Sequence, residues 1–283
     1  MSEAKFNPKI TICIPVYNGE KTLERAIQSV LSQTYQNFIL LISDNASTDQ
    51  TSKICEKFKA KDSRIQIITQ NNLIPLWNNF DFLLRKVTTE YFMWLSADDF
   101  IHSDYIKKTL TTLESDKKIV GCFTNLNHFK IHNNTDYIID IKEKWNIFSK
   151  LGSLLYDQKL NSVIGSHDSR IRIGLVTAIV LIYSIFRTDI AKKCFIIEPH
   201  GLLQELSFLT RVYNFGEVHI LKEFLFNYYV GGISSSGPIM TLKKNNTRLI
   251  SYIFPMFRFN LFFLKNFGLI QFLKNFDNLF KIS

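Results

Sequence analysis

Four cysteines in 283 residues are far too few for a disulfide scaffold. Cys13, Cys55, Cys122 and Cys194 stand singly, three of them in apolar stretches, with no C-x-x-C or Cys/His ligand spacing. They read as buried free thiols, and a reducing, cytoplasmic setting is the expectation. Eleven glycines and six prolines exclude a collagen-like or low-complexity chain. The start lacks the basic segment and apolar block of a secretory signal, since Met1 to Lys9 is polar and Ile10 to Val16 is short and strand-like. The one long apolar run, Ile173 to Phe186, lies between Arg172 and Arg187 and is shorter than the ~18–20 residues of a membrane span, so a buried strand region is expected there. Zinc-finger spacing, an aromatic RNP-like strand and Lys/Arg blocks are all missing. The formal net charge of +9 is therefore not assigned to nucleic acid. Phosphorylated small molecules and anionic lipid stay open as partners.

What is present is a core. With 46% apolar, 14% aromatic and 21% charged residues, the chain can bury a sizeable interior. Its first 125 residues alternate short apolar runs with helix-period segments. Strands are predicted at Ile10 to Pro15, Phe38 to Ile42, Arg64 to Thr69, Tyr91 to Leu95 and Ile119 to Thr124. Between them, Leu23, Ala26, Ile27, Val30 and Leu31 share one face of a helix starting near Glu20. Ile54, Cys55 and Phe58 follow a start signal at Ser47 to Gln50. Leu76, Phe80, Leu83, Leu84 and Val87 repeat the helical spacing, and Ser103 is placed to cap a helix carrying Ile106, Leu110 and Leu113. Such a series folds as an α/β, Rossmann-like, mainly parallel sheet flanked by helices, with its ligand at the carboxyl ends of the strands.

Beyond Asn125 a hairpin is expected around Asn133-Asn134, then a helix near Asn146 to Leu160 and a polar segment from Asn161 to Arg172. No Pro/Gly/Ser linker divides the chain. The expected organisation is one domain over 1–247, with a nucleotide-binding half at about 9–125 and an acceptor or catalytic half at about 126–247. A Phe-rich amphipathic helical extension over 248–283 would follow. That extension carries nine phenylalanines and five basic residues against one acid, Asp277. It fits a helix pair resting on anionic lipid at the inner face of a membrane, and equally helices packed on the domain or on a second subunit.

Three polar clusters end predicted strands: Pro15-Val16-Tyr17-Asn18-Gly19-Glu20, Ser43 to Asp49, and Ser96-Ala97-Asp98-Asp99. In a parallel sheet all three emerge on one edge. Adjacent Asp98 and Asp99 suit a hard divalent cation, Mg²⁺ or Mn²⁺, which takes oxygen ligands and retains substrate phosphates. Either aspartate can instead cap the next helix or sit in a turn.

These three clusters, in this order, resemble the family 2 glycosyltransferases of GT-A fold. The resemblance spans roughly Lys9 to Leu113 and resumes more weakly from about Ile182 to Ser236. It rests on Pro15-x-Tyr17-Asn18, on Asp44-x-x-Ser47-x-Asp49, and on an Asp-x-Asp region in which Ser96 replaces the first acid while Asp98 keeps the last. It implies that Pro15, Tyr17, Asn18 and Glu20 lie under a nucleotide, that Asp44 meets the base, uracil being the commonest, and that Asn78 in Trp77-Asn78-Asn79 lies near the nucleotide. Ser96, Ala97 and Asp98 would meet ribose and diphosphate, with Asp98 on the metal and Asp99 toward sugar or acceptor. Ring packing for Tyr17 and an Asx-turn for Asp44 remain open.

The family's late acidic pair corresponds to Gln204-Glu205, so Glu205 is the implied base for an inverting transfer. Independently of family, Glu205 shares a helical face with Phe208, Leu209 and Val212, where a carboxylate is costly unless used or paired with an arginine. His200 is the second choice. Tyr183 to Asp189 reads as a late strand and turn before a short helix. At Tyr228 to Ser236 the family often carries an Arg and a His; neither is present here. The implied activity is metal-dependent transfer of a sugar from a nucleotide-diphosphate donor to a glycan or lipid-linked acceptor, in surface polysaccharide or glycolipid assembly. An impaired nucleotide-sugar-binding scaffold and a nucleotidyltransferase remain open, and oligomeric state is not readable.

Overall fold

Strand β1 (Ile10–Val16) is buried at every residue, as a continuous apolar run must be when helices cover both faces of its sheet. A computed structural model of the chain describes residues 7–132, 135–139, 180–197 and 204–230. The predicted helix near Asn146, the polar segment 161–172, His200, the 231–236 loop and the 248–283 extension lie outside the described residues.

The first half follows the predicted alternation. β1 is succeeded by α1 (Leu23–Leu31), β2 (Phe38–Asp44), α2 (Thr51–Lys59), β3 (Ile65–Thr69), α3 (Leu76–Lys86) and β4 (Tyr91–Trp94). β3, β2, β1 and β4 lie side by side and parallel. Pro15 is tolerated in a central strand for a definable reason. Cys13 presents its carbonyl to Leu95 on the β4 side, so Pro15, two residues on, faces that side as well. The ladder to β4 has already ended at Cys13 and Trp94, and no donor is needed there.

Beyond β4 come β5 (Phe100–Ile101), α4 (Tyr105–Ser115), β6 (Ile119–His132), β7 (Thr135–Ile139), β8 (Ile185–Arg187), α5 (Thr188–Cys194), α6 (Gln204–Val212) and β9 (Glu217–Tyr229). The nine described strands form one sheet in the order β3-β2-β1-β4-β8-β6-β9-β5, with β7 on β6. Its second half is mixed rather than mainly parallel. β8 is antiparallel to both β4 and β6, β9 is parallel to β6, and β5 is antiparallel to β9. The hairpin expected at Asn133-Asn134 joins β6 to β7, with His132 opposite Thr135, and a two-residue connection permits only antiparallel pairing.

Two local expectations are corrected. The apolar run before Arg187 is not a strand throughout: among its described residues Val180 and Leu181 are helical, and strand begins at Ile185. Short apolar runs carry no period that separates the two states. Helix α4 begins after Asp104, not at a Ser103 cap, because both residues are tied to the loop after α1. Thr34 donates its N–H to the Ser103 carbonyl and its hydroxyl to Asp104 Oδ1. Beside it, buried Gln33 donates to the Ser29 and His102 carbonyls and accepts from the Ile106 N–H. The Ser29 to Tyr35 segment is thus the brace between α1 and α4. All four cysteines are buried and free. Among the described residues no helix is long and apolar enough to cross a membrane.

Candidate active site

The strand register places the first two polar clusters next to each other. Val16 pairs with Asp44, and the Asn45 N–H bonds the Val16 carbonyl, so both loops leave the sheet together. They are then laced by side chains. Asn18 donates its N–H to Ser47 Oγ and accepts the Thr48 N–H at 2.9 Å; the Glu20 N–H bonds Asp49 Oδ2 at 3.0 Å; the Gln50 N–H bonds Glu20 Oε2 at 3.1 Å. Asn18 adopts a left-handed backbone (φ 52°), which Asn tolerates, while Ala46 does so at some strain (φ 57°). Gly19 is required by close approach, since a Cβ there would meet Val16 Cγ2 at 2.5 Å and Ala97 Cβ at 3.7 Å. The Ser96–Asp99 turn thus comes close to the first loop, with Ala97 beside Gly19.

Within this frame the predicted residues divide. Tyr17 is 48% exposed, its ring presented to solvent at the loop tip. Asp44 is fully buried and forms the turn foreseen as its alternative, accepting from the Ser47 N–H at 3.0 Å and the Ser52 hydroxyl. Asn18 and Glu20 spend their side chains on the lacing. Asn78 is exposed on α3, whereas its neighbour Asn79 is buried and accepts a 2.6 Å hydrogen bond from Ser43 Oγ. Helical spacing carries that distinction already, because Asn79 lies three residues after Leu76 on the apolar side and Asn78 only two. Asn45 ties down the segment before α3 by a reciprocal pair of bonds with Ile74, at 2.9 and 3.0 Å.

The third cluster is a tight acidic turn. Ser96 donates its hydroxyl to Asp98 Oδ1, and the Asp99 N–H bonds the Ser96 carbonyl. Burial raises the Asp98 carboxyl above its usual range. It raises Asp99 further, with the Asp98 charge adding to the effect. Arg25 on α1 supplies the opposing charge. Its guanidinium lies 4.8 Å from the Phe100 ring centre and 4.5 Å from that of Phe129, and it donates to the Asp98 carbonyl at 3.1 Å. No sequence signal marked Arg25, which lies off the apolar face of α1.

Glu205 stands in the first turn of α6, which is buried along most of its length. Burial pushes its carboxyl up to about 7. The arginine ion pair foreseen as an alternative is not formed among the described residues, where Arg64 pairs with Asp62 and Arg85 with Asp81. Gln204, in place of the family's first acid, is buried and donates to the Ile196 carbonyl at 2.8 Å, closing the start of the helix. Tyr183 lies near both acidic regions: burial first, and then the charges of Asp99, Tyr228, Asp98 and Glu205, hold its hydroxyl well above the usual phenol range. The Tyr183 ring stacks on Phe226 of β9 and its carbonyl accepts from Tyr105 Oη.

An exposed tyrosine after β1, an acidic turn after β4 and a buried carboxylate on α6 agree with what the chain matches. Residues 11–172, more than half of it, match Glycosyl transferase family 2. The chain belongs to this family.

Among curated relatives, glycosyltransferase GlyA of Streptococcus pneumoniae is 34% identical over 100 residues, 35% of this chain and 14% of that protein. An uncharacterized glycosyltransferase of Haemophilus influenzae is 38% identical over 104 residues, 36% of this chain and 41% of that protein. The chain spans less than half the length of each of these relatives. Among solved structures, residues 1–349 of S. aureus TarS in complex with UDP-GlcNAc superpose with a TM-score of 0.68 at 16% identity, over 97% of this chain and 73% of that one. Mannosyltransferase PcManGT of Pyrobaculum calidifontis, in complex with GDP-Man and Mn²⁺, gives 0.57 at 12% identity, over 79% and 57%. These likenesses establish the GT-A-like fold of this family 2 member.

Proposed function

We propose that this protein transfers a sugar from a UDP-sugar to a hydroxyl of a glycan or lipid-linked acceptor with inversion at the anomeric carbon. The observation that carries the reading is that the Asp98 turn after β4 and Glu205 on α6 both lie near enough to Tyr183 for their charges to act on its hydroxyl. The nucleoside would lie over the ends of β1 and β2, with Tyr17 offering its ring and Asp44 beneath. Among the described residues no group of three or more His, Cys, Asp or Glu is arranged to hold a metal. A cation would therefore be shared between Asp98 and the diphosphate oxygens, which is how Mg²⁺ and Mn²⁺ commonly bind. The single acidic turn fits that arrangement, and the Mn²⁺ bound by the mannosyltransferase relative supports it. When bound, the cation would neutralise the departing diphosphate.

Glu205 would take the proton of the acceptor hydroxyl as its oxygen bonds the anomeric carbon and the carbon–oxygen bond to the diphosphate breaks. Near pH 7 a carboxyl with a pKa of about 7 is about half ionised, the condition under which a base is both present and strong enough. A cytoplasmic setting with surface polysaccharide or glycolipid as product is part of the same reading, supported by the four free, buried cysteines.

The test is a screen of UDP-sugars with Mn²⁺, reading the released nucleotide. Free UDP that depends on the cation, and is lost in Asp98→Asn, is the expected result. Pyrophosphate release would identify a nucleotidyltransferase, and binding without turnover a scaffold.

A further inference from the structure

Asp99, which the family resemblance implies lies toward the sugar or the acceptor, is 1% exposed. Its Oδ1 accepts the backbone N–H of Tyr229 at 2.8 Å, across 130 residues of sequence. Its Oδ2 is buried with no hydrogen-bond partner among the described residues. The Tyr229 N–H is the last donor of β9 on that side. One residue on, the Val230 N–H bonds the Phe129 carbonyl, and two residues before, Asn227 pairs with Phe100 of β5. The end of β9 is thereby fixed to the acidic turn by a side chain. Tyr228, between these anchors, has its ring 5.8 Å from that of His128, and its hydroxyl is among the groups felt by Tyr183.

We infer that Asp99 is a positioning residue: its carboxyl latches the end of β9, with Tyr228, onto the Asp98 turn, and it touches neither cation nor sugar. The inference rests on the reading that the Asp98 turn is part of the transfer site. A latch of this kind is economical. The end of β9 meets the acidic turn at Tyr229, and a single acceptor sets the distance between a strand from late in the sequence and a turn from the first half. The role needs an acceptor oxygen, not a negative charge.

Asparagine keeps that oxygen and removes the charge, while alanine removes both. In the full chain, Asp99→Asn should preserve slow deuterium exchange at the Tyr229 and Val230 amides and leave kcat for UDP release within about threefold of the parent. Asp99→Ala should speed exchange at Tyr229 by about tenfold or more, and lower kcat by a similar factor with KM for the UDP-sugar little changed. Melting curves on both variants identify the folded fraction, so that kcat is compared per folded molecule.

An Asp99→Asn protein as inactive as Asp99→Ala would overturn the inference, because a needed charge means contact with cation or sugar. Unaltered exchange in Asp99→Ala would overturn it as well, and so would faster exchange with parental kcat, which marks a purely structural bond. Should the parent release UDP from no UDP-sugar, the proposed activity fails separately. The latch is then decided by amide exchange and by calorimetric affinity for Mn²⁺ with UDP: a loss in Asp99→Ala that Asp99→Asn restores upholds it, and any other pattern ends it.

Discussion

Glu205 shows how a single side chain carries both a cost and a use. Its carboxyl, raised to about 7 by burial, holds a proton in the folded state between pH 4.5 and 7 that the unfolded chain has already lost. The folded state therefore binds more protons in that window, and stability falls as pH rises through it, by up to about 3 kcal/mol. Glu205→Gln abolishes this slope. The variant should be as stable as the parent near pH 4.5 and more stable at pH 8, read as the difference in melting temperature. Transfer should respond in the opposite sense, rising in the parent through pH 7 as the base form fills. The variant should lose ~10²- to 10⁴-fold in rate, with a flat profile. A Glu205→Gln protein that is destabilised yet active would shift the base to another group.

At the scale of elements, the parallel half was legible because its signals are local. Ile10–Val16 and Phe38–Asp44 are unbroken apolar runs ended by polar clusters, and α1 and α3 show their buried face at helical spacing. Legibility stops where function depends on partners far apart in the chain. Nothing in Asn18 or Glu20 distinguishes a nucleotide contact from the bonds they make to Thr48 and Gln50, about thirty residues away. The mixed half was harder for another reason: a three-residue strand such as β8 takes its state from the neighbours it enters between. The lacing makes its own prediction through Asp49. Burial works against its charge, but hydrogen bonds from Thr51 and the Glu20 N–H outweigh it and hold the carboxyl below its usual range. Asp49→Ala frees the Glu20 and Thr51 N–H groups together, at a cost of about 1 kcal/mol. Affinity for Mn²⁺ with UDP should weaken several-fold as the two loops separate. A parental melting temperature with parental affinity would show that the lacing positions nothing.

Across the whole molecule, the two halves meet on one tryptophan. Trp94 is the last residue of β4, two before the acidic turn, and its indole N–H bonds the Phe80 carbonyl at 3.2 Å. Around it stand Phe80 and Phe92 from the first half, and Phe195 and Phe208 from the second, with ring centres 4.7–5.6 Å away. Phe208 lies on α6 one turn beyond Glu205 and also packs edge-on against Phe186 of β8. The spacing between Asp98 and Glu205 is therefore set by aromatic packing rather than by a polar contact, and interiors this dense transmit small changes of volume. Phe208→Leu should cost about 1–2 kcal/mol and leave the chain folded. Because the ring contacts of Phe208 are with Trp94, Phe186 and Phe195, affinity for Mn²⁺ with UDP should stay within about threefold. Transfer should fall tenfold or more, since a base displaced by about 1 Å loses its alignment with the acceptor hydroxyl. Parallel losses in affinity and transfer would mean that the aromatic cluster supports the nucleotide half instead, and undiminished transfer would mean that α6 is held in place by contacts other than Trp94.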